Sequence, residues 1–135
     1  MTRSSFSRWV LAARLRTLPL ACSTVLLGSG LAAHADAFRW PLFLLCLLTA
    51  ILLQVLSNLA NDYGDAVSGA DLAGRVGPTR AVATGLITAR QMQVAMGLTA
   101  LAAVVSGLAL LWSAFAEDWP ALLAFIVFGA LALVA

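Results

Sequence analysis

Four long runs of the chain contain no charged residue: Thr17–Ala35 (19 residues), Trp40–Asn61 (22), Gln91–Ala116 (26) and Trp119–Ala135 (17). Each is near the roughly 17–25 residues that carry an α-helix across a bilayer. Together they take up 84 of the 135 residues, which leaves no room for a separate soluble domain. The pattern predicts an all-α fold, a polytopic transmembrane helix bundle of about four spans, as one unit over residues 1–135. Ahead of the first span, Phe6, Trp9, Val10 and Ala13 recur at helical spacing beside Arg8, Arg14 and Arg16. Residues 1–16 therefore read as an interfacial segment with its apolar side toward lipid.

Composition supports this reading. The chain is 62% hydrophobic and 10% charged, against about 25% charged in a soluble domain, which excludes an ordinary soluble globule. Its net charge of +2 comes from eight arginines, no lysine and six acids. Four arginines (Arg3, Arg8, Arg14, Arg16) precede the first span and three (Arg75, Arg80, Arg90) lie between the second and third, against Arg39 alone between the first and second. The positive-inside bias then puts the N-terminus and the 62–90 segment in the cytoplasm. Trp40, Trp112 and Trp119 fall at the opposite boundary and Trp9 at the inner one, where indole rings favour the headgroup layer.

Ala33-His34-Ala35, behind a basic and then an apolar stretch, also matches a secretory cleavage site. The basic region would be unusually long for a leader, and cleavage would leave the orientation of the later spans unchanged. Cys22 and Cys46 fall at depths roughly 10–15 Å apart on helices rising 1.5 Å per residue, too far for a disulfide, and read as small packing residues. His34, single and at a helix end, makes no metal site.

Chemistry concentrates in Gln54–Arg90. Gln54, Ser57, Asn58 and Asn61 enter the second span before it ends, and Asp62, Asp65 and Asp71 follow. Asn58, Asn61, Asp62 and Asp65 stand at i, i+3, i+4 and i+7, so a continuing helix presents them on one face. Such a stripe is costly against lipid and should face the bundle interior or a watery cavity. Gly64, Gly69, Gly74, Gly77 and Pro78 then break the helix into a loop. Thr88-Ala-Arg-Gln91 has capping-box spacing and restarts it. Carboxylates this close form a hard oxygen set for Mg2+, which completes its shell with water and phosphate oxygens. Arg75 and Arg80 add planar donor forks for the same phosphates. On pattern alone a second reading stands beside this one, in which the acids solvate a loop and the arginines set topology; amides inside the apolar run weigh against it.

The run Gln54-Val-Leu-Ser-Asn58-Leu-Ala-Asn61-Asp62-Tyr63-Gly64-Asp65, continuing to Asp71, resembles the first aspartate-rich motif of the UbiA-type membrane prenyltransferases, nearest the branch that prenylates 1,4-dihydroxy-2-naphthoate on the way to menaquinone. Arg14-Leu-Arg16-Thr17-Leu18-Pro19 resembles the opening of that family's first helix, and Arg75-Val-Gly77-Pro78-Thr-Arg80 with Gly85-Leu-Ile-Thr88 its cytoplasmic loop. Leu72-Ala73-Gly74 departs from the pattern by lacking the polar residues that relatives can carry there.

The resemblance implies Mg2+-assisted loss of diphosphate from a polyprenyl diphosphate, then attack by an aromatic acceptor on the allylic cation, with loss of the carboxyl group where the acceptor is the naphthoate. It implies Asp62, Asp65 and Asp71 as Mg2+ ligands, Asn58 and Asn61 orienting diphosphate or metal-bound water, and Arg75, Arg80 and Arg16 holding the diphosphate. The expected surroundings are the lipid bilayer of a bacterial inner membrane, and nucleic acid is not an expected partner. Family members resemble a bundle of about nine helices with a second aspartate-rich motif, and Pro120–Ala135 has no charge, Ser, Thr, Asn or Gln to supply it. The expectation is therefore an N-terminal part that lacks the C-terminal helices and holds at most half an active site. Two other readings stay open: the same chemistry on 4-hydroxybenzoate or homogentisate, and a non-catalytic membrane fragment or subunit whose polar face binds a helix.

Overall fold

The computed structural model describes residues 5–69 and 80–134, and every regular element among them is helical. Helix α1 spans Ser5–Ala13, α2 Leu18–His34, α3 Trp40–Ser68, α4 Ala89–Phe115 and α5 Trp119–Val134, with one turn of 3₁₀ helix at Leu15–Thr17. The all-α expectation is met. Three stretches are long and apolar enough to cross a membrane, Phe6–His34, Trp40–Ser68 and Ala89–Phe115, and the chain is an integral membrane protein. Helix α5 is apolar but shorter: its 16 residues extend about 24 Å, under the roughly 30 Å of a hydrocarbon core.

Local sequence explains the helix ends. Pro19 and Pro41 sit in the first turns of α2 and α3, where a missing N–H costs nothing and the fixed φ suits the helix. Helix α4 starts as predicted: the Gln91 amide donates to Thr88 Oγ1 at 3.2 Å and the Thr88 amide to Gln91 Oε1 at 3.0 Å, closing the capping box. Helix α3 differs from expectation. Gly64 lies inside it, and it runs on to Gly69, whose φ of 72° is the left-handed turn that ends many helices. Gly64 costs only about 1 kcal/mol as a helix residue, and the anchored side chains of Asp62 and Tyr63 hold the helix through it. Residues 62–68 of the expected loop are thus helical, while Gly74, Gly77 and Pro78 lie outside the described residues.

At 29 residues, α3 extends about 44 Å, longer than the hydrocarbon layer, so its last turns project beyond it. Helices α3 and α4 form the main pair. In their middle Thr49 Oγ1 and Ser106 Oγ share a hydrogen bond at 2.8 Å. Gly107 lets the backbones approach: a Cβ there would stand 3.9 Å from Thr49 Cγ2, as small residues do in membrane helix pairs. Cys22 and Cys46 are unbridged.

The buried core sits at the arginine-rich end. Ala12 of α1, Leu59 of α3, Ala81 and Ile87 of the connection and Met92 of α4 form one cluster, with Trp9, Val55 and Tyr63 packed against it. Helix α1 therefore packs against α3 and is set off from α2 by a break in the helix. The bend is at Arg14, with φ 50° and ψ 60°, a left-handed conformation that costs an L-residue about 1–2 kcal/mol.

Candidate functional site

The projecting end of α3 carries the predicted stripe, and packing divides it. Asn58 and Asp62 are buried, Asp65 is partly exposed and Asn61 is exposed. At about 100° per residue, Asn61 falls about 60° to one side of Asn58 and Asp62 about 40° to the other. Among the described residues, helix α1 and the 80–87 segment cover the Asp62 side and leave Asn61 exposed.

Asp62 is 1% exposed. Its Oδ2 accepts the Ala81 amide at 2.9 Å and its Oδ1 the Val82 amide at 3.1 Å. These two N–H groups begin a turn that closes through Gly85 N to Val82 O at 3.0 Å and Ile87 N to Ala81 O at 3.1 Å. The carboxylate therefore acts on this turn as an N-cap acts on a helix, through charge-assisted bonds. Thr84 Oγ1 donates to Arg80 O at 2.6 Å and tightens the same turn.

One turn further along α3, Asp65 forms an ion pair with Arg80, whose side chain is 7% exposed against 32% for Asp65. The structure thus brings together three of the predicted residues, Asp62, Asp65 and Arg80. Asp71 and Arg75 lie outside the described residues. Arg16 is exposed beside the bend after α1. A cavity of about 470 Å³ opens at that bend, lined by Val10, Leu11, Arg14, Leu15, Arg16 and Thr17. It adjoins the same stretch of α3, since Thr17 is 2.8 Å from the Asn58 amide and Asn58 is one turn from Asp62.

Several residues that matter here carried weaker signals in the sequence. Gln54 lies four residues before Asn58, and its Nε2 donates to Asn58 Oδ1 at 3.3 Å; the i, i+4 spacing contained that contact. Arg8 Nη1 donates to Leu86 O at 2.9 Å, and Gln93 Nε2 donates to Tyr63 Oη at 2.7 Å. Both span long separations that no local pattern records.

The donors suit Mg2+ in kind and number. Among the described residues no three His, Cys, Asp or Glu side chains converge, but Mg2+ typically takes one or two carboxylates and completes its shell with water and phosphate. Asp62 and Asp65 are two hard-oxygen groups one turn apart. Each Asp62 oxygen keeps one lone pair beyond its amide bond, and Asp65, partly exposed and paired with Arg80, is the more accessible of the two carboxylates.

The chain resembles known proteins over its whole length. It is 41% identical over 138 residues to the 1,4-dihydroxy-2-naphthoate octaprenyltransferase of Escherichia coli strain K12, covering all of this chain and 44% of that protein. The corresponding enzyme of Haemophilus influenzae is 42% identical over 137 residues, again covering all of this chain and 44% of the relative. That of Mycobacterium tuberculosis is 43% identical over 109 residues, 78% of this chain and 37% of the relative. The chain thus spans less than half the length of these relatives. No solved structure gives a significant match. The pattern of the UbiA prenyltransferase family matches residues 21–135. The helical membrane fold, the aspartate face at the end of α3 and this match agree, and the chain belongs to the UbiA prenyltransferase family.

Proposed function

We propose that the chain is the part of a 1,4-dihydroxy-2-naphthoate polyprenyltransferase that binds the diphosphate end of a polyprenyl donor. The supporting observation is the ion pair of Asp65 with Arg80, one turn from Asp62, where α3 emerges from the membrane. The arginine bias supports a cytoplasmic position for that end, and the bacterial relatives support an inner membrane as its setting. The isoprenoid tail stays in lipid while the diphosphate reaches the polar end.

In the overall exchange the allylic C–O bond breaks, a carbon of the naphthoate ring bonds to the allylic carbon, the carboxyl group leaves as CO2 and diphosphate departs. Asp65, Asp62 and Asp71 would hold Mg2+, which when bound neutralises charge developing on the leaving diphosphate. Arg80 is an always-charged planar donor that is paired with Asp65. When an anion approaches, the guanidinium exchanges one oxyanion partner for another without crossing an uncharged state. Arg75 and Arg16 would add donors to the same group, and Val10, Leu11 and Leu15 of the bend cavity offer an apolar side for the first isoprene units. Asn61, exposed at the edge of the face, is free to orient a phosphate oxygen or a bound water.

The test is calorimetric titration of farnesyl diphosphate into the bilayer-reconstituted chain with and without Mg2+. Mg2+-dependent binding that Asp65→Asn weakens by about tenfold or more, the loss of one charge-assisted contact, supports the reading. Binding that ignores Mg2+ and Asp65 refutes it. Acceptor identity is decided by turnover of 1,4-dihydroxy-2-naphthoate against 4-hydroxybenzoate and homogentisate in a protein of the relatives' length that carries this chain.

A further inference from the structure

We propose that Asn58 is a positioning residue, which fixes the bend between α1 and α2 and thereby docks α1 over the aspartate-held turn. Its Nδ2 donates to Ala13 O at 2.8 Å and to Thr17 Oγ1 at 2.8 Å. Thr17 Oγ1 in turn donates to Arg14 O at 3.0 Å. Asn58 therefore reaches, directly and through Thr17, the carbonyls on both sides of the left-handed peptide at Arg14. A helix leaves its last carbonyls without intrahelical partners. Here a side chain from another helix supplies them, and caps α1 in place of the residue that would follow it.

The chemistry of the amide separates this role from ligand binding. A primary amide has two N–H donors and one carbonyl acceptor. A phosphate oxygen only accepts, so it needs a donor, and both donors of Asn58 are engaged in a side chain that is 4% exposed. The remaining polar atom, Oδ1, accepts from Gln54 Nε2 at 3.3 Å, which fixes the orientation of the amide. What the amide does control is the direction of α1. Pro19 interrupts the backbone ladder nearby and allows a bend, but does not fix its angle. The clamp sets the angle at which Ala12 packs in the Leu59 cluster and Arg8 reaches Leu86 O. The inference stands on this geometry and does not depend on which anion the protein binds.

The experiment measures electron-spin distances in bilayers, in the full chain with Cys22 and Cys46 replaced by alanine. One label pair is Phe6→Cys on α1 with Trp112→Cys on α4; a control pair is Val67→Cys on α3 with Trp112→Cys. All three positions are exposed. Asn58→Asp is the decisive variant, because a carboxylate is at least as good a metal ligand but cannot donate to Ala13 O. It is expected to lose the single Phe6–Trp112 distance, with the Val67–Trp112 distance unchanged. Thr17→Val, which keeps the Ala13 bond and loses the relay to Arg14, is expected to broaden the first distance less. An unchanged Phe6–Trp112 distance in Asn58→Asp overturns the proposal, and so does equal broadening of both pairs, which would make Asn58 a support of the whole bundle.

Discussion

Asp62 binds the backbone of Ala81: its Oδ2 lies 2.9 Å from the Ala81 amide nitrogen, 19 positions along the chain. With the companion bond to Val82, the end of α3 and the start of the described connection to α4 form one polar unit. The carboxylate that family resemblance marks as a metal ligand therefore also holds the segment containing Arg80. Asp65 anchors that segment a second time through the Arg80 side chain. The position of Arg80 thus depends on both carboxylates.

Removing the Asp62 carboxylate leaves two amides unpaired, that of Ala81 fully buried. Asp62→Ala is expected to cost about 2–4 kcal/mol, from two lost charge-assisted bonds and the unsatisfied donors left behind. Asp62→Asn keeps one oxygen and turns an N–H2 toward the other amide, so about half the loss is expected. Unfolding in mixed micelles measures the loss, and faster hydrogen exchange at Ala81 and Val82 locates it. Unchanged exchange at those amides in Asp62→Ala would show that the turn does not rest on the carboxylate.

Gly85 closes the same turn with a φ of 72°, and a Cβ built there meets nothing within 4 Å. The effect of Gly85→Ala is therefore a backbone effect alone. A destabilisation of about 1 kcal/mol is expected, with α3–α4 packing unaffected. Gly97 is the control, since it is helical and also has open space around a Cβ. Gly97→Ala should be stabilising by about 0.5–1 kcal/mol, and opposite signs in the same unfolding assay test the pair.

In the middle of the bundle, Thr49 and Ser106 exchange a hydrogen bond across α3 and α4. Such bonds contribute only about 0.6 kcal/mol in measured membrane helices. Thr49→Val with Ser106→Ala in a double-mutant cycle should show a coupling of that order. Gly107→Leu should cost more than either, because a Cβ already stands in ordinary contact with Thr49 Cγ2 and a longer side chain forces the helices apart. A coupling above about 2 kcal/mol would mean that the hydroxyl pair, and not close packing, sets this interface.

Much of the site was legible because it is local. The spacing of Asn58, Asp62 and Asp65 specifies a helical face whatever packs on it, and Thr88 with Gln91 specifies a cap. Gly64 misled because glycine marks permission to turn, not a turn; the anchored neighbours of Gly64 carry α3 to Gly69. Asn61 lies at the edge of that stripe, and among the described residues the arrival of α1 and the 80–87 segment decides which edge is covered. The Arg8–Leu86 and Gln93–Tyr63 contacts join residues 78 and 30 positions apart, a separation at which no periodicity carries information.

The sequence by itself determined that this is a membrane protein built of helices, which end carries the arginines, and that acids and amides share one helical face there. These follow from hydropathy and spacing, which are properties of consecutive residues. Tertiary structure alone decided what the polar groups do toward one another. It put Asp62 on the backbone of a distant turn, paired Arg80 with Asp65, and gave the donors of Asn58 to the bend at Arg14. A hydrogen bond needs two partners at about 3 Å with aligned directions, and that condition is met only once α1, α3 and the connection have packed together.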